Sequence, residues 1–360
     1  MPGLIDCHVH VTAVTKTPNT EKTPDSYIIS AAVKIMKNML LRGFTTVRDA
    51  GGADQGLFLA LKDSVVEGPR LFYSGKAISM TGGHGDFRDP KTAADVCPCN
   101  SRSGGHMSAL ADGVDEVVKL ARENLRKGAT QIKLMGSGGV TSPGDRLVHA
   151  QYSEAEIRAV VDEAERWGTY VMAHAYAPEA IQRLARLGVR TIEHANLLDA
   201  KTAELMKQHD AYMVPTLAVA ESMHLEEGQL KLPEETVKKV EMVREKGLEA
   251  IQFARKAGVK VGFGTDLWGT LLDYQNQEFA FRGVRESARD IIHSATQVNA
   301  SIVRQKDKLG VIKPGAFADL IAVNTNPLND VNVLANIDKY MAFLMKDGVI
   351  YHQNLEEDYA

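Results

Sequence analysis

Several features are scarce in this sequence of 360 residues. It has three cysteines, too few for a disulfide framework, so we expect a protein of a reducing compartment, the cytoplasm. No apolar run approaches membrane-spanning length, and the first residues lack the basic stretch of a signal peptide. The formal net charge is -4 without a basic patch, which argues against nucleic acid as the main partner.

What the sequence does contain begins with an apolar run that ends in His8-Val9-His10. Such a run predicts a buried strand, and side chains at positions i and i+2 of a strand point to the same face. Two neutral imidazoles on one face suit a divalent metal such as zinc. Because His-x-His also occurs on solvated strands, this pair alone leaves both interpretations open.

Later apolar runs also end in residues that can bind metal. A metal hydrolase built on a parallel barrel takes its ligands from the C-terminal ends of several strands. Four residues of suitable type occupy such positions in order: Lys133, His174, His194 and Asp266. Taken singly, the lysine could pair with an acid and each histidine could be a satisfied core residue. A set at successive strand ends favours a common site.

Strand and helix patterns alternate along most of the chain. Helical patterns are expected near residues 26–41, 54–67, 112–127, 154–167 and 234–257, with apolar strands between them. Eight such repeats predict an α/β fold, a (β/α)8 TIM barrel over residues 1–305. Residues 306–360 differ, since they contain a strand at 320–323 and a hairpin across Lys346-Asp347-Gly348. This part is expected to form a small β-sandwich portion.

Two long loops, 75–111 and 136–151, are expected to shape the site. His84 lies between two glycines in the first loop, where the backbone can approach a ligand closely. It is either a substrate contact or a loop histidine with a local hydrogen bond. Cys97 and Cys99 in the same loop could bind a structural metal, although plain loop thiols are the simpler interpretation.

Nine motifs that run nearly end to end are similar to those of one known family. They resemble the amidohydrolase superfamily, and within it the imidazolonepropionase-like enzymes that include Xaa-Pro, Xaa-Arg and Xaa-Lys dipeptidases and ochratoxinase-like amidases. The motifs are PGLIDCHVH (2–10), TTVRDAGG (45–52), GGHGD (82–86), ADGVDEV (111–117), QIKLMGSGGV (131–140), AHAY (173–176), IEHANLLD (192–199), GFGTD (262–266) and LGVIKPGAFADLIAV (309–323). Together they are specific for the superfamily but not for one substrate.

The resemblance implies a binuclear metal centre with two divalent ions, expected to be Zn²⁺. His8 and His10 would bind the more buried ion together with Asp266. CO2 would carboxylate the amine of Lys133, and the resulting carbamate would bridge both ions. His174 and His194 would bind the second ion.

The resemblance also suggests a mechanism. Two cations beside a bridging water lower its pKa and hold a hydroxide at neutral pH. On this hypothesis Asp266 takes the proton of that water as it attacks an amide carbonyl, and later delivers the proton to the leaving amine. His84 and Tyr176 are the candidate substrate-binding residues. A core or rim tyrosine that packs its ring is an equally good interpretation of Tyr176.

The expected activity is hydrolysis of an amide in a dipeptide or an N-acyl amino acid, including ochratoxin-like amides. One alternative is a cyclic-amide or lactone hydrolase of the imidazolonepropionase type, and another is a truncated, inactive scaffold. The intact ligand set argues against the scaffold.

One departure from the resemblance concerns the start of the chain. Relatives of this type usually begin with β-strands that complete a sandwich with the C-terminal strands, whereas this sequence starts directly at the barrel. Either the chain is truncated, which leaves its localisation open, or the sandwich is reduced to its C-terminal half. That half would expose strand edges, which invite pairing with another chain. We therefore expect a homo-oligomer.

Overall fold

The computed structural model describes residues 1–15, 23–88, 103–104, 106–142 and 144–354. Cys97 and Cys99 lie outside these ranges. The strands are β1 (Leu4–Val9), β2 (Phe44–Asp49), β3 (Arg70–Tyr73), β4 (Ala77–Ser79), β5 (Ser103–Gly104), β6 (Ser108–Leu110), β7 (Ile132–Met135), β8 (Val171–Ala175), β9 (Thr191–His194), β10 (Tyr212–Val214), β11 (Leu320–Val323), β12 (Met341–Lys346) and β13 (Val349–Gln353).

Helices lie between most of these strands. They are α1 (Asp25–Leu41), α2 (Gln55–Lys62), α3 (Val114–Arg126), α4 (Glu154–Arg166), α5 (Pro178–Arg186), α6 (Ala200–Gln208), α7 (Leu217–Leu225), α8 (Glu227–Leu230), α9 (Glu234–Ala257), α10 (Gln277–Gly283), α11 (Ala288–His293), α12 (Asn299–Ile302), α13 (Asn332–Ala335) and α14 (Ile337–Tyr340). A 3-10 helix covers Gly269–Tyr274 and a π-helix covers Ser294–Val298. Within the described ranges, no helix combines the length and the apolar character needed to cross a membrane.

The strands up to β10 form two sheets that are parallel except at β5. One sheet has the order β1-β2-β3 and the other has the order β10-β9-β8-β7-β4-β6-β5. Parallel neighbours need crossover connections, which the helices supply. Every residue of β1, β2, β7, β8, β9 and β10 is buried, as expected for strands covered on both faces. The fold is therefore α/β, as the alternation of patterns predicted.

The run expected to form the last strand before residue 270 is irregular. Gly262 donates a backbone hydrogen bond to Met213 (2.7 Å), and Cys7 donates one to Phe263 (2.8 Å), so this run lies between β10 and β1. A Cβ atom at Gly264 would lie 2.7 Å from the Cβ of His8. The close approach requires glycine here, and glycine weakens a regular strand.

Other boundaries differ from the sequence prediction in understandable ways. The helix expected at 54–67 ends at Lys62, because Ser64 adopts a left-handed backbone conformation with φ +56°. The loop expected at 75–111 contains the short strands β4, β5 and β6. By contrast, α9 covers the whole of 234–257 and ends at Gly258 in the left-handed conformation typical of a helix C-terminus.

The C-terminal part forms a small antiparallel sheet of the order β11-β12-β13. Its turn uses Asp347 and Gly348 with φ of +50° and +80°, as expected for an Asp-Gly hairpin. Met1 pairs with Ile321 through hydrogen bonds of 2.8 and 3.0 Å beside β11. Strand β13 forms the opposite edge, where Ile350 is 49% exposed.

Candidate active site

His8, His10 and Asp266 come together at the C-terminal end of β1. The Nε2 atoms of His8 and His10 lie 3.3 and 3.1 Å from Oδ1 of Asp266. Ligands about 2.0–2.1 Å from a tetrahedral zinc lie about 3.3 Å from each other. The Nζ atom of Lys133, on β7, lies 3.5 Å from Nε2 of His8. Four of the predicted ligands therefore face a common space.

His174 and His194 complete the cluster from the neighbouring strands β8 and β9. Their ring centroids are 4.6 Å apart, and the ring of His194 lies 4.9 Å from that of His8. Nδ1 of His194 is 3.8 Å from Oδ2 of Asp266. The structure thus brings together all six residues that the sequence singled out as metal ligands.

The backbone at the cluster is unusual. His194 and Asp266 have φ of +68° and +58°, the left-handed region that L-residues other than glycine rarely adopt. Such conformations cost of order 1–3 kcal/mol each and concentrate at functional sites. The two residues are placed this way at the ends of β9 and of the run beside β1, where each side chain turns towards the cluster.

Hydrogen bonds decide which nitrogen of two imidazoles carries the proton. Nδ1 of His10 lies 3.0 Å from the carbonyl oxygen of Gly51, and Nε2 of His174 lies 3.2 Å from that of Gly138. Because a carbonyl oxygen only accepts, each of these nitrogens donates. Nε2 of His10 and Nδ1 of His174 are therefore the nitrogens that would bind a cation.

The other two imidazoles are held in a similar way. Nδ1 of His8 lies 2.7 Å from Oε2 of Glu193, and Nδ1 of His194 lies 2.7 Å from the hydroxyl of Thr216. A carboxylate accepts only, so His8 donates from Nδ1, and Nε2, the atom that faces Asp266, is the nitrogen that would bind a cation. Imidazole rings held in fixed orientations beside a carboxylate fit a divalent cation.

Glu193 and Arg48 are functional candidates that the sequence reasoning missed. Both side chains are fully buried, and Nη2 of Arg48 lies 2.9 Å from each carboxylate oxygen of Glu193. Burial raises the pKa of Glu193, but Arg48 and His8 outweigh it and lower the pKa to about 2. The available signal was a charged residue inside an otherwise buried strand, at Arg48 in β2 and at Glu193 in β9.

The charge states of Lys133 and Asp266 suit the expected chemistry. Burial lowers the pKa of Lys133 to about 8, although Glu193 and Asp266 oppose the shift. The lowered pKa makes the neutral amine, which carries the lone pair needed to react with CO2, more accessible than in an exposed lysine. Burial raises the pKa of Asp266, but His8 and His10 together bring it well below its usual range, so this carboxylate is ionised.

The cluster opens into a pocket with an apolar wall. His10, His84, His174 and Asp266 line the pocket. The apolar wall consists of Val219, Ala220 and Met223 from α7, Val243 from α9, Val140 and Trp268. Val140 and Thr141 belong to the loop 136–151, which therefore forms part of the wall as expected. Helix α7 was not predicted as a separate element.

His84 and Tyr176 both line this pocket. The ring of His84 stacks on that of His174 with 4.1 Å between centroids, and its Nδ1 lies 2.9 Å from the hydroxyl of Ser142. The Tyr176 ring lies 5.0 Å from that of His174 and 5.1 Å from that of His194. Their roles as substrate contacts stay predictions, supported by this position.

Comparison with known proteins places the chain in a family. The model of the amidohydrolase family matches residues 1–351. Ochratoxinase of Aspergillus niger is 32% identical, over 98% of this chain and 75% of its own length. The structure of a prolidase complexed with N-methylphosphonate-L-proline is 45% identical, with a TM-score of 0.93 over 98% of this chain and 86% of its own. A Xaa-Pro dipeptidase structure with bound methionine is 31% identical, with a TM-score of 0.85 and the same two coverages. The chain therefore belongs to the amidohydrolase family and is a hydrolase that acts on amide bonds.

Proposed function

We propose that this protein hydrolyses the amide bond of a dipeptide or an N-acyl amino acid that carries an apolar side chain, with two divalent cations as cofactors. The observation that carries the proposal is the cluster of six candidate ligands, which opens into a pocket with an apolar wall. Prolidase, Xaa-Pro dipeptidase and ochratoxinase, to which the chain is similar, support this substrate class.

We propose further that residues 1–305 close into an eight-stranded barrel and that residues 306–360 form a separate C-terminal portion. Hydrogen bonds from Gly262 and to Phe263 link β10 to β1, and a bond from Thr130 to Tyr73 (2.8 Å) links the start of β7 to β3. The resulting ring contains β1, β2, β3 with β4, β7, β8, β9, β10 and residues 259–266. Active sites of such barrels lie at the C-terminal ends of the strands, where this cluster is found.

The residues present fit the cations. His8, His10 and Asp266 would hold one, His174 and His194 would hold the other, and the carboxylated Lys133 would serve both. Imidazole nitrogens with carboxylate oxygens form a donor set that zinc accepts readily. When bound, such cations lower the pKa of a water molecule and polarise a carbonyl oxygen.

The side chains of the protein supply the proton transfers. The ionised Asp266 accepts the proton of the attacking water and returns it to the leaving amine. Burial raises the pKa of Tyr176, so its hydroxyl stays protonated and donates a hydrogen bond to the carbonyl oxygen of the substrate. His84, held by Ser142 and stacked on His174, is a further substrate contact. The apolar wall of α7 receives the side chain and excludes water.

The test is a substrate panel on protein loaded with Zn²⁺ in the presence of bicarbonate. The panel pairs dipeptides and N-acyl amino acids that carry Leu, Met or Phe with isosteric or similarly sized members that carry Asp or Lys. We expect hydrolysis of the apolar members and little of the charged ones, because burying an unpaired charge against the α7 wall is costly. Protein stripped with a chelator should be inactive and should recover on adding zinc.

Cyclic amides and lactones belong in the same panel. Hydrolysis confined to these compounds would replace the proposal with an imidazolonepropionase-type activity. No hydrolysis of any member by protein that contains two equivalents of metal would favour the inactive scaffold.

A further inference from the structure

The four candidate histidines differ in the group that supports each ring from outside the cluster. His10 and His174 bond to backbone carbonyl oxygens, and His194 bonds to a hydroxyl. His8 bonds to the carboxylate of Glu193, at 2.7 Å. One histidine of the cluster is thus supported by a formal negative charge and three are supported by neutral groups.

The carboxylate of Glu193 is itself held firmly. Oε1 accepts from Nη2 of Arg48 (2.9 Å) and from the hydroxyl of Thr191 (2.5 Å), while Oε2 accepts from Arg48 (2.9 Å) and His8. Arg48 is fixed in turn, because its Nε donates to the carbonyl of Cys7 (2.6 Å) and its Nη1 donates to Thr191 (3.1 Å). Both oxygens of this buried carboxylate accept hydrogen bonds, so the orientation of the carboxylate towards His8 is fixed.

This arrangement affects how strongly His8 can bind a cation. A carboxylate that accepts from one ring nitrogen raises the basicity of the other and fixes the direction of its lone pair. Nε2 of His8 is therefore more basic, and its orientation more firmly fixed, than the metal-binding nitrogens of the other three rings. In addition, one donor atom from each of His8, His10 and Asp266 lies within 4.8 Å of the others, so this side of the cluster is already assembled.

We propose that the Arg48–Glu193 pair is a positioning device that makes the His8–His10–Asp266 side the tighter of two cation sites, so that this side fills first. The inference rests on the proposed function only in assuming that two cations bind, and it does not depend on the substrate.

The experiment is a titration of metal-free protein with Zn²⁺ in competition with a chromophoric chelator. The wild type should bind in two steps of unequal affinity. The double variant Arg48→Met with Glu193→Gln removes both charges at similar volume, so that neither is left unpaired in the interior. We expect the first step to weaken by about 10–100-fold, the usual effect of losing an outer partner of a metal ligand, and the second step to stay unchanged.

Two further variants guard against a purely structural effect. Glu193→Asp keeps the charge beside Arg48 but withdraws the carboxylate from His8, and should weaken the same step. The matched control is Arg282→Met with Glu286→Gln, because Arg282 and Glu286 form another buried pair (2.6 and 3.0 Å) that bonds to none of the six candidate ligands. This control should lower the unfolding temperature without changing either binding step.

Histidine ring ¹⁵N spectra of the metal-free protein provide a second readout that does not involve activity. The wild type should show a hydrogen-bonded proton on Nδ1 of His8, assigned by the loss of that signal in His8→Gln, and Arg48→Met/Glu193→Gln should shift or lose that signal. A single binding step, two steps of equal affinity, or equal weakening of both steps in that double variant would overturn the proposal. If Zn²⁺ bound in two steps of unequal affinity but the protein hydrolysed no amide, the proposed function would be contradicted and this inference would not be affected.

Discussion

Replacing Asp266 with asparagine should stop turnover while leaving the fold intact. Asp266 has φ +58°, and asparagine is among the few residues that tolerate this conformation well. The substitution is nearly isosteric, so the contacts of Oδ1 with Nε2 of His8 and His10 can persist without the charge. The variant therefore removes the proton acceptor but keeps an oxygen at the position of the candidate metal ligand.

The size of the effect follows from the role assigned to this carboxylate. A positioned general acid–base group contributes about 10²–10⁴-fold to the rate. At about 1.4 kcal/mol for each factor of ten, the barrier should rise by about 3–6 kcal/mol. The loss should appear in kcat rather than in KM, because Asp266 transfers a proton in the chemical step and the apolar wall still binds the substrate.

The assay is the initial rate with the best substrate of the panel, together with the metal content of the same sample. Asp210→Asn is the matched control, since Asp210 is exposed and has a similar φ of +49°. The control should behave as the wild type. If Asp266→Asn kept turnover within about threefold of the wild type, far short of the loss expected for an acid–base group, that role would be refuted. Loss of metal in proportion to activity would instead assign Asp266 to cation binding alone.

Three further predictions concern other parts of the molecule. Labelling with ¹³C-bicarbonate should give a carbamate signal in the NMR spectrum of the wild type. Lys133→Ala should lose both this signal and the activity. A fully active wild-type sample without the signal would contradict the carboxylated lysine. The pKa of Glu193 is about 2 in the folded protein and 4.5 in the free residue, so its stabilising effect is complete above pH 4.5 and is lost as the pH falls from 4.5 towards 2. The unfolding temperature should therefore decline more steeply over this range in the wild type than in Arg48→Met/Glu193→Gln. If the unfolding temperatures of the two proteins fell in parallel, ionised Glu193 would not stabilise the fold. Because β13 is an edge strand, we expect the wild type to form oligomers in sedimentation experiments and Ile350→Lys to form monomers. Val65→Lys, at another exposed apolar position, should remain oligomeric. A monomeric wild type would exclude pairing at this edge.

Local patterns were enough to predict many elements and the members of the candidate site. The i, i+2 spacing of His8 and His10 placed both on one side of β1, and the structure confirms that they face Asp266 together. Helix α9 lies where its pattern predicted, because Pro233 precedes its first turn and Gly258 ends it. In each case the information lies within a few residues of the feature itself.

Features that depend on distant contacts were not predictable in this way. Arg48 and Glu193 are separated by 145 residues, and only the fold shows that they meet beneath His8. Helix α7 is buried on most of its surface, so it lacks the polar face that reveals a helix in sequence. The run at 259–266 has an apolar strand pattern, but the close contact of Gly264 with His8 depends on how β1 is placed.

The α7 wall has a consequence for how this enzyme can diversify. Val219, Ala220 and Met223 shape the pocket, yet the six candidate ligands come from strand ends and from the run beside β1. On the proposed function, substrate selectivity and reactivity therefore depend on separate stretches of the chain. A library that varies only these three helix positions should yield variants with altered substrate ranges that keep all six candidate metal ligands and therefore still hydrolyse amide bonds.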